Sequence, residues 1–284
     1  MIIVDLNQVM ISNIMMQLGA HTNAKVEENM VRHMVLNSLL SYKRKFSFEY
    51  GELVIACDNT NIWRKGIFPH YKANRKNKIE NSEIDWKSIH ECMSKLKAEL
   101  KEFSPYKVID VESAEADDVI GTLVTHFSTT EPKKIIILSG DKDFIQLHKY
   151  NNVKQYDPVH KKEITHDNPI TFLVEHIVKG DAGDGIPNIL SSDDCMVIGE
   201  RQKSLTKKRM EYYTSTTPEN FDNSTVTRNY HRNEQLINLN FTPKEICEKV
   251  LLQYNEQAGK NRSKLLTYFS TFNLKNLVQH LSEF

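Results

Sequence analysis

A mostly parallel β-sheet flanked by helices, followed by a helical region, is the fold class that this sequence predicts. Three observations lead there. Short apolar runs alternate with helix-period segments up to about residue 168. The runs are apolar throughout, as in strands buried on both faces, which is the pattern of parallel sheets. Each run also stops at an acidic residue, where open α/β sheets bind their ligands. Strands alternating with helices imply right-handed crossovers and a sheet covered on both sides.

Residues 2–5 read as the first strand, apolar until Asp5. Residues 28–46 carry a helical stripe of Met30, Val31, Met34, Val35, Leu39 and Leu40, in which the methionines fill core gaps. Leu53 to Cys57 forms the second strand and runs into Asp58. Residues 59–85 change character: Arg64, Lys65, Lys72, Arg75, Lys76 and Lys78 are interleaved with Trp63, Phe68, His70 and Tyr71. A connection this long is normally functional or disordered. Cations for phosphates and rings for bases suit a single nucleic-acid strand, although a solvated charged loop has the same composition. Trp86 to Phe103 returns to helical spacing through Ile89, Met93, Leu96 and Leu100. A strand at 106–109, a helix at 115–127, a strand at 135–138 and a short helix over 143–147 follow. Residues 153–156 and 162–165 read as an edge hairpin whose turn begins at Asp157-Pro158.

Beyond residue 168 helices dominate. Ile170 to Val178 ends at Gly180-Asp181-Ala182-Gly183-Asp184-Gly185-Ile186-Pro187. Residues 188–228 are polar, with Arg201, Lys203, Lys207, Lys208 and Arg209 close together, and part of this stretch is expected to be mobile. Three helices close the chain over roughly 229–238, 243–257 and 261–282, the last breaking near Asn273. The division expected is a catalytic α/β domain over 1–179, with a basic arch at 59–85, and a helical domain over 180–284.

Bulk composition excludes several classes. The 284 residues are 39% hydrophobic and 26% charged, with 37 basic and 37 acidic side chains, as in ordinary globular proteins. Cys57, Cys92, Cys195 and Cys247 are far apart, which reads as reduced thiols in an intracellular protein. No secretory signal and no apolar run of the ~20 residues needed to span a bilayer is visible. There is no GxxxxGK[ST] phosphate loop, no dinucleotide fingerprint, no metalloprotease histidine pair and no Gly-x-Ser-x-Gly elbow.

The acids carry the chemistry. Asp5, Asp58, Glu115, Asp117, Asp118, Asp141, Asp143, Asp181 and Asp184 all fall at strand ends or loops. Each alone could cap a helix or form a turn. Together they would repel: two like charges ~4 Å apart cost about 4 kcal/mol at an effective dielectric of 20. Such a cluster persists with bound cations or with protons held at raised, coupled pKa values. Oxygen ligands without clustered Cys or His favour Mg²⁺ or Mn²⁺. More carboxylates than one ion can use point to a pair of ions, as in phosphoryl transfer.

Asp5, Cys57-Asp58-Asn59, Glu115-Ala116-Asp117-Asp118, Ser139-Gly140-Asp141-Lys142-Asp143-Phe144 and Gly180 to Pro187 occur in the order of the flap endonuclease (5′-nuclease) family. The chain resembles that family over nearly its whole length, most of all the ribonuclease H branch of T-even phages. Trp63-Arg64 ahead of Tyr71-Lys72-Ala73-Asn74-Arg75, and Gln146 to Tyr150 ahead of Asn152 to Gln155, strengthen the tie to that branch. The resemblance implies a PIN-like α/β fold and a divalent-metal nuclease acting on 5′ ends, flaps and RNA–DNA hybrids in phage replication. It places two Mg²⁺ ions, for which Mn²⁺ can substitute, on the nine acids. It places Tyr71, Lys72 and Arg75 beside the scissile phosphate, with Tyr71 free to stack on a displaced base, and Arg64, Lys65 and Lys76 on DNA. By analogy the partners would be a single-strand-binding protein and a sliding clamp, in the cytoplasm of an infected bacterium, with the nuclease a monomer. A PIN-type ribonuclease and a non-catalytic DNA-binding protein are the alternatives.

The chain departs from the family after Pro187. A Gly-x-Gly-x-Lys-Thr-Ala turn, which holds a monovalent cation in a helix-hairpin-helix, is replaced by Asn188-Ile189-Leu190-Ser191-Ser192-Asp193. The monovalent ion loses its motif, and the backbone grip falls to Arg201, Lys203, Lys207, Lys208 and Arg209. Reversing these five charges should lower duplex affinity and flatten its dependence on salt; an unchanged salt slope in a filter-binding titration would remove the assignment.

Overall fold

A computed structural model describes residues 1–19 and 26–284, without the side chains of residues 76–78. Six strands form one sheet in the order β3-β2-β1-β4-β5-β6. They are β1 (Ile2–Asp5), β2 (Leu53–Ala56), β3 (Lys107–Ile109), β4 (Ile135–Leu138), β5 (Val153–Asp157) and β6 (Lys162–Ile164). Pairing is parallel from β3 through β5, with Asp5 opposite Ala56 and Val4 opposite Leu138. The β5–β6 pair is antiparallel, the edge hairpin expected over 153–165. The strand order reverses at β1, so the β1–β4 boundary is the topological switch point where such sheets bind ligands.

Two cores cover the sheet because alternate strand residues face opposite ways. Ile2, Val4, Leu53, Ile55, Val108, Ile136 and Leu138 face one core, with helices α1 (Leu6–Leu18), α2 (Glu28–Tyr50) and, past the arch, the helix Trp86–Phe103. Ile3, Val54, Ile109, Ile135 and Ile137 face the other, against the helix Ala116–Thr129. The first of these helices, α1, is absent from the sequence expectation. Its buried Leu6, Val9, Met10, Ile14 and Leu18 have helical spacing, and Asp5 caps it by accepting from Gln8 N at 3.1 Å. The stretch 59–85 is not an open loop: it contains α3 (Arg64–Ile67) and α4 (Ala73–Glu80), followed by α5 (Trp86–Phe103) and α6 (Ala116–Thr129). Among the described residues no helix is long and apolar enough to cross a membrane.

A third core lies beyond the carboxyl ends of the strands. It joins Phe68 and Tyr71 to Ile177 and Val178 of α7 (Pro169–Lys179), to Ile186 and Ile189, and past the exposed α8 (Lys207–Ser215) to Tyr230, Leu236 and Ile237 of α9 (Ser224–Ile237). The last helices then return to the sheet. In α10 (Lys244–Glu256) Val250 and Tyr254 join the α6 core, while Leu265, Tyr268 and Phe269 of α11 (Leu265–Thr271) and Leu277 of α12 (Lys275–Val278) join the other. The break expected near Asn273 is real, since that residue adopts φ +54° between α11 and α12. The open edge of β3 is closed by side chains. Gln257 exchanges hydrogen bonds with Val108 N and O at 2.9 and 3.0 Å, and Gln253 does the same with Asp110 at 3.0 and 3.1 Å. The helical residues after 180 therefore divide between the site-side core and both faces of the sheet.

Candidate metal centre

The acids of β1, β2, β3 and β4 meet because parallel strands end along one rim. Most are also bound to backbone. Asp58 Oδ1 accepts from Ala116 N at 2.7 Å, which satisfies an orphan donor at the start of α6, and its Oδ2 accepts from Asn7. Asp141 caps the 3-10 helix Lys142–Lys149 by accepting from Asp143 N at 2.9 Å. Asp5 accepts from Ser139 Oγ at 3.0 Å across the β1–β4 boundary. The amino ends of α1 and α6 therefore open onto this rim, and their dipoles partly offset its negative charge. Gly180 closes the far side. Its φ of +68° and the collision that a Cβ would make with the Ile186 and Pro187 backbone require glycine. Asp181 Oδ1 then accepts from Gly183 N at 2.7 Å and Asp184 N at 3.3 Å, which folds both acids of the loop toward the cluster.

Protonation records the crowding. Burial, then the charge of Asp58, pushes the Asp5 carboxyl up to about 7 against the hydrogen bonds of Gln8 and Ser139. Burial also holds Asp117 well above the usual carboxylate range, helped by Asp141, Glu115 and Asp143 and opposed by Lys72. Asp143 is raised in the same way by burial and by Asp141, Asp181 and Asp184. Asp181 goes the other way: against the upward pull of burial, His176 and Lys142 hold it well below the ordinary value. One chain of mutual influence thus runs from Asp58 through Asp5, Asp141, Asp117 and Asp143 to Asp181 and Asp184.

Several expectations are corrected by where the side chains lie. Arg64 does not face DNA. It is 2% exposed, reaches Glu115 at 2.9 Å and Asp118 at 2.9 and 2.8 Å, and donates through Nε to Leu236 O at 2.9 Å. A planar fork matches a carboxylate in a way that a flexible ammonium does not, which selects arginine there. Asp118 is not free to bind an ion. Its Oδ1 also accepts from Thr242 Oγ1 at 2.9 Å, and its Oδ2 from Trp63 Nε1 at 3.0 Å and Glu115 N at 2.9 Å. Tyr71 cannot stack on a base, because its ring is 2% exposed in the third core. Its hydroxyl lies 2.9 Å from both Glu115 Oε2 and Asp184 Oδ2, and burial beside those acids keeps it a neutral phenol with one proton to give.

Lys72 and Arg75 do reach the cluster. Lys72 pairs with Glu115 and lies 3.6 Å from Asp184, and Arg75 meets Asp184 at 2.5 Å. Lys72 takes φ +58°, a strained backbone for a non-glycine residue, fixed by donation from its N to Asp184 O at 2.7 Å. Lys65, Arg201, Lys203, Lys207, Lys208 and Arg209 are exposed and, among the described residues, form no ion pair with an acid of the cluster, while the Lys76 side chain lies outside the described residues. Sequence reasoning missed His176. It sits on α7 with Nδ1 3.4 Å from Asp143 Oδ1 and Nε2 3.2 Å from Asp181 Oδ2, and no motif marks it.

The donor set fits divalent cations. Asp143 Oδ1 is buried without a hydrogen-bond partner, and Asp117 is crowded by acids, so positive charge is what this rim lacks.

Comparison with known proteins agrees. The N-terminal resolvase-like domain model of the 5′–3′ exonucleases matches residues 1–175, and the C-terminal domain model of T4 RNase H matches residues 169–284. Ribonuclease H of Enterobacteria phage T4 is 33% identical over 99% of this chain and 95% of its own length. The chain belongs to the 5′–3′ exonuclease family. As a 5′-nuclease it is a phosphodiester hydrolase. The flap endonuclease Xni of Shewanella woodyi is 33% identical over 45% of this chain and 49% of its own. The fold is that of the T5 D15 protein co-crystallised with metal ions, with TM-score 0.63 and 14% identity over 90% of this chain and 98% of that one. A T5 5′-exonuclease structure with bound zinc aligns at TM-score 0.62 and 14% identity, over 91% of this chain and 99% of that one.

Two outcomes follow. Arg64→Ala strands Glu115 and Asp118 as buried charges and should cost about 3–5 kcal/mol in urea unfolding; a loss below ~1 kcal/mol would show that the pairing is not structural. Asp5 has a folded pKa of about 7, above its ordinary 3.8. Its contribution to stability in chelator is therefore full below about pH 4 and is lost as pH rises through 7. A divalent ion displaces that proton, so the rise in Tm on adding Mg²⁺ should be small at pH 5 and grow through pH 7–8, whereas a pH-independent rise would contradict the linkage.

Proposed function

We propose that this 5′-nuclease uses two divalent ions, Mg²⁺ with Mn²⁺ as a substitute, to remove RNA primers and 5′ flaps during phage DNA replication. Its substrates are DNA with 5′ ends or flaps and RNA–DNA hybrids. The observation that carries the reading is the pair of half-buried, crowded carboxylates, Asp117 and Asp143, neither of which pairs with a lysine or arginine at close range among the described residues.

Asp5, Asp58, Glu115, Asp117, Asp141, Asp143, Asp181 and Asp184 hold the ions in this reading, with Asp118 kept for Arg64. Bound there, the ions supply an activated water and neutralise charge on the phosphate. The residues around them position. Asp141 presents its carboxylate from the capped start of the 3-10 helix, and Arg64 keeps Glu115 turned into the pocket from below. Lys72 and Arg75 shield Glu115 and Asp184 in the free protein. Ions held by those acids would leave Lys72 and the half-exposed Arg75 free to meet the scissile phosphate. Tyr71 serves as a buried clamp between Glu115 and Asp184.

The catalytic part is assigned to residues 1–179 and the nucleic-acid grip to 180–284. Lys65 and Lys76 contact DNA at the arch, and Arg201, Lys203, Lys207, Lys208 and Arg209 hold downstream backbone by charge. The protein acts as a monomer in the cytoplasm of the infected bacterium, beside the phage single-strand-binding protein and sliding clamp. These assignments draw on the relationship to T4 ribonuclease H.

A panel of a 5′-labelled flap, a nicked duplex and a single-stranded RNA, each with Mg²⁺ or chelator, tests the reading. Metal-dependent cutting at the 5′ junction is expected. Asp141→Asn should lower kcat by ~10³-fold, equivalent to several kcal/mol of lost transition-state stabilisation, while DNA binding is retained. Near-normal turnover of that variant, or cutting of the RNA alone, would overturn it.

A further inference from the structure

His176 belongs to no motif of the chain, yet it is 6% exposed between two acids of the metal centre. One ligand atom from each of Asp143, His176 and Asp181 lies within 4.8 Å of the others. Their hydrogen bonding gives the three different roles.

Asp181 is saturated. Its Oδ1 accepts from Gly183 N and Asp184 N, and its Oδ2 from Lys142 Nζ at 3.0 Å and from His176 Nε2 at 3.2 Å. A carboxylate with this many donors has little left for an ion. With Asp181 accepting from Nε2, the neutral imidazole turns the lone pair of Nδ1 the other way. That lone pair faces Asp143 Oδ1 at 3.4 Å, and the buried oxygen has no hydrogen-bond partner. Two electron-rich atoms thus face each other across a gap that a proton or a cation can fill.

A cation resolves the conflict. Two neighbouring ligands with bonds of ~2.1 Å stand about 3.0 Å apart around an octahedral ion and about 3.4 Å apart around a tetrahedral one. The separation of His176 Nδ1 and Asp143 Oδ1 falls in that range. The outer arrangement also fits: metal-bound histidines usually donate their other ring N–H to a carboxylate, which fixes tautomer and ring orientation. Asp181 does this for His176, and Phe172, edge-on at 5.8 Å between ring centroids, braces the ring on the same helix.

The geometry points to His176 as a nitrogen ligand of one divalent ion, bound through Nδ1 beside Asp143, with Asp181 as the positioning carboxylate behind it. This rests on the metal-centre reading above and changes it. One of the two subsites is a mixed nitrogen–oxygen site, so it prefers Mn²⁺ over Mg²⁺ more strongly than a purely carboxylate site does.

Pulsed EPR on the Mn²⁺-loaded full-length chain, without nucleic acid, tests this without reference to turnover. Wild type should show nitrogen modulation from a directly bound imidazole. His176→Gln should lose the modulation and about tenfold in Mn²⁺ affinity at one subsite. Asp181→Asn, whose side-chain carbonyl still accepts from Nε2, should keep the modulation. Bound Mn²⁺ with no nitrogen modulation in wild type overturns the inference and leaves the metal centre standing, as does modulation that persists in His176→Gln. Failure of the wild type to bind Mn²⁺ overturns both. The wild-type spectrum alone decides the matter if His176→Gln does not fold, with His176→Asn as the second variant.

Discussion

Like charges brought together by a parallel sheet are the constraint on which the rest of this molecule depends. Parallel strands end on one side, so acids at the ends of β1, β2, β3 and β4 converge whether or not convergence is favourable for each of them. The protein does not neutralise them all. Asp118 and part of Glu115 are balanced by a buried arginine, Asp58 and Asp141 by backbone donors, and Asp181 by His176 and Lys142. Asp5, Asp117 and Asp143 remain under-compensated and hold protons more tightly than free carboxylates do. The imbalance is stable because the strands and helices carrying it are anchored in two apolar cores, and it is what gives the pocket its appetite for cations.

The third core explains how the arch takes part. Phe68 and Tyr71 pack against α7 and α9, which draws the basic segment over the acidic rim and lets Tyr71, Lys72 and Arg75 touch Glu115 and Asp184. Residues whose types look suited to nucleic acid thus act first as internal supports. Trp63, Arg64 and Tyr71 are the examples: an indole N–H, a guanidinium and a phenol all point at carboxylates and away from solvent. Exposed charge remains at Lys65 and along 201–209, where Lys207 meets Glu211 at 4.0 Å.

The departure from the family after Pro187 has a local physical account. Asn188 accepts from Leu190 N at 3.0 Å and Ser191 Oγ at 3.0 Å and donates to Lys203 O at 2.9 Å, while Asn229 and Asn233 donate to the carbonyls of Ile189, Ser191, Ile177 and Pro187. Buried amides therefore satisfy the backbone of this turn. The loop is held to α9 by hydrogen bonds, and α8, with no buried residues, is left as a cationic outer layer.

Strand runs, most helices and the acidic strand ends were legible in the sequence because periodicity and turn chemistry are local properties, set by 3.6- and 2-residue repeats and by breakers such as Gly180 and Pro187. The helix α1 was missed because it starts with no break after β1, with Asp5 serving as strand end and helix cap at once. Residue type alone also could not say which way a side chain points. That Asp118 is paired, Arg64 buried, Tyr71 enclosed and His176 wedged between Asp143 and Asp181 depends on contacts between segments more than thirty residues apart, His176–Asp181 excepted, and so on tertiary packing. The sequence by itself determined that acids would crowd one end of a parallel sheet; the three-dimensional structure decided which of them are already satisfied and which still require a cation.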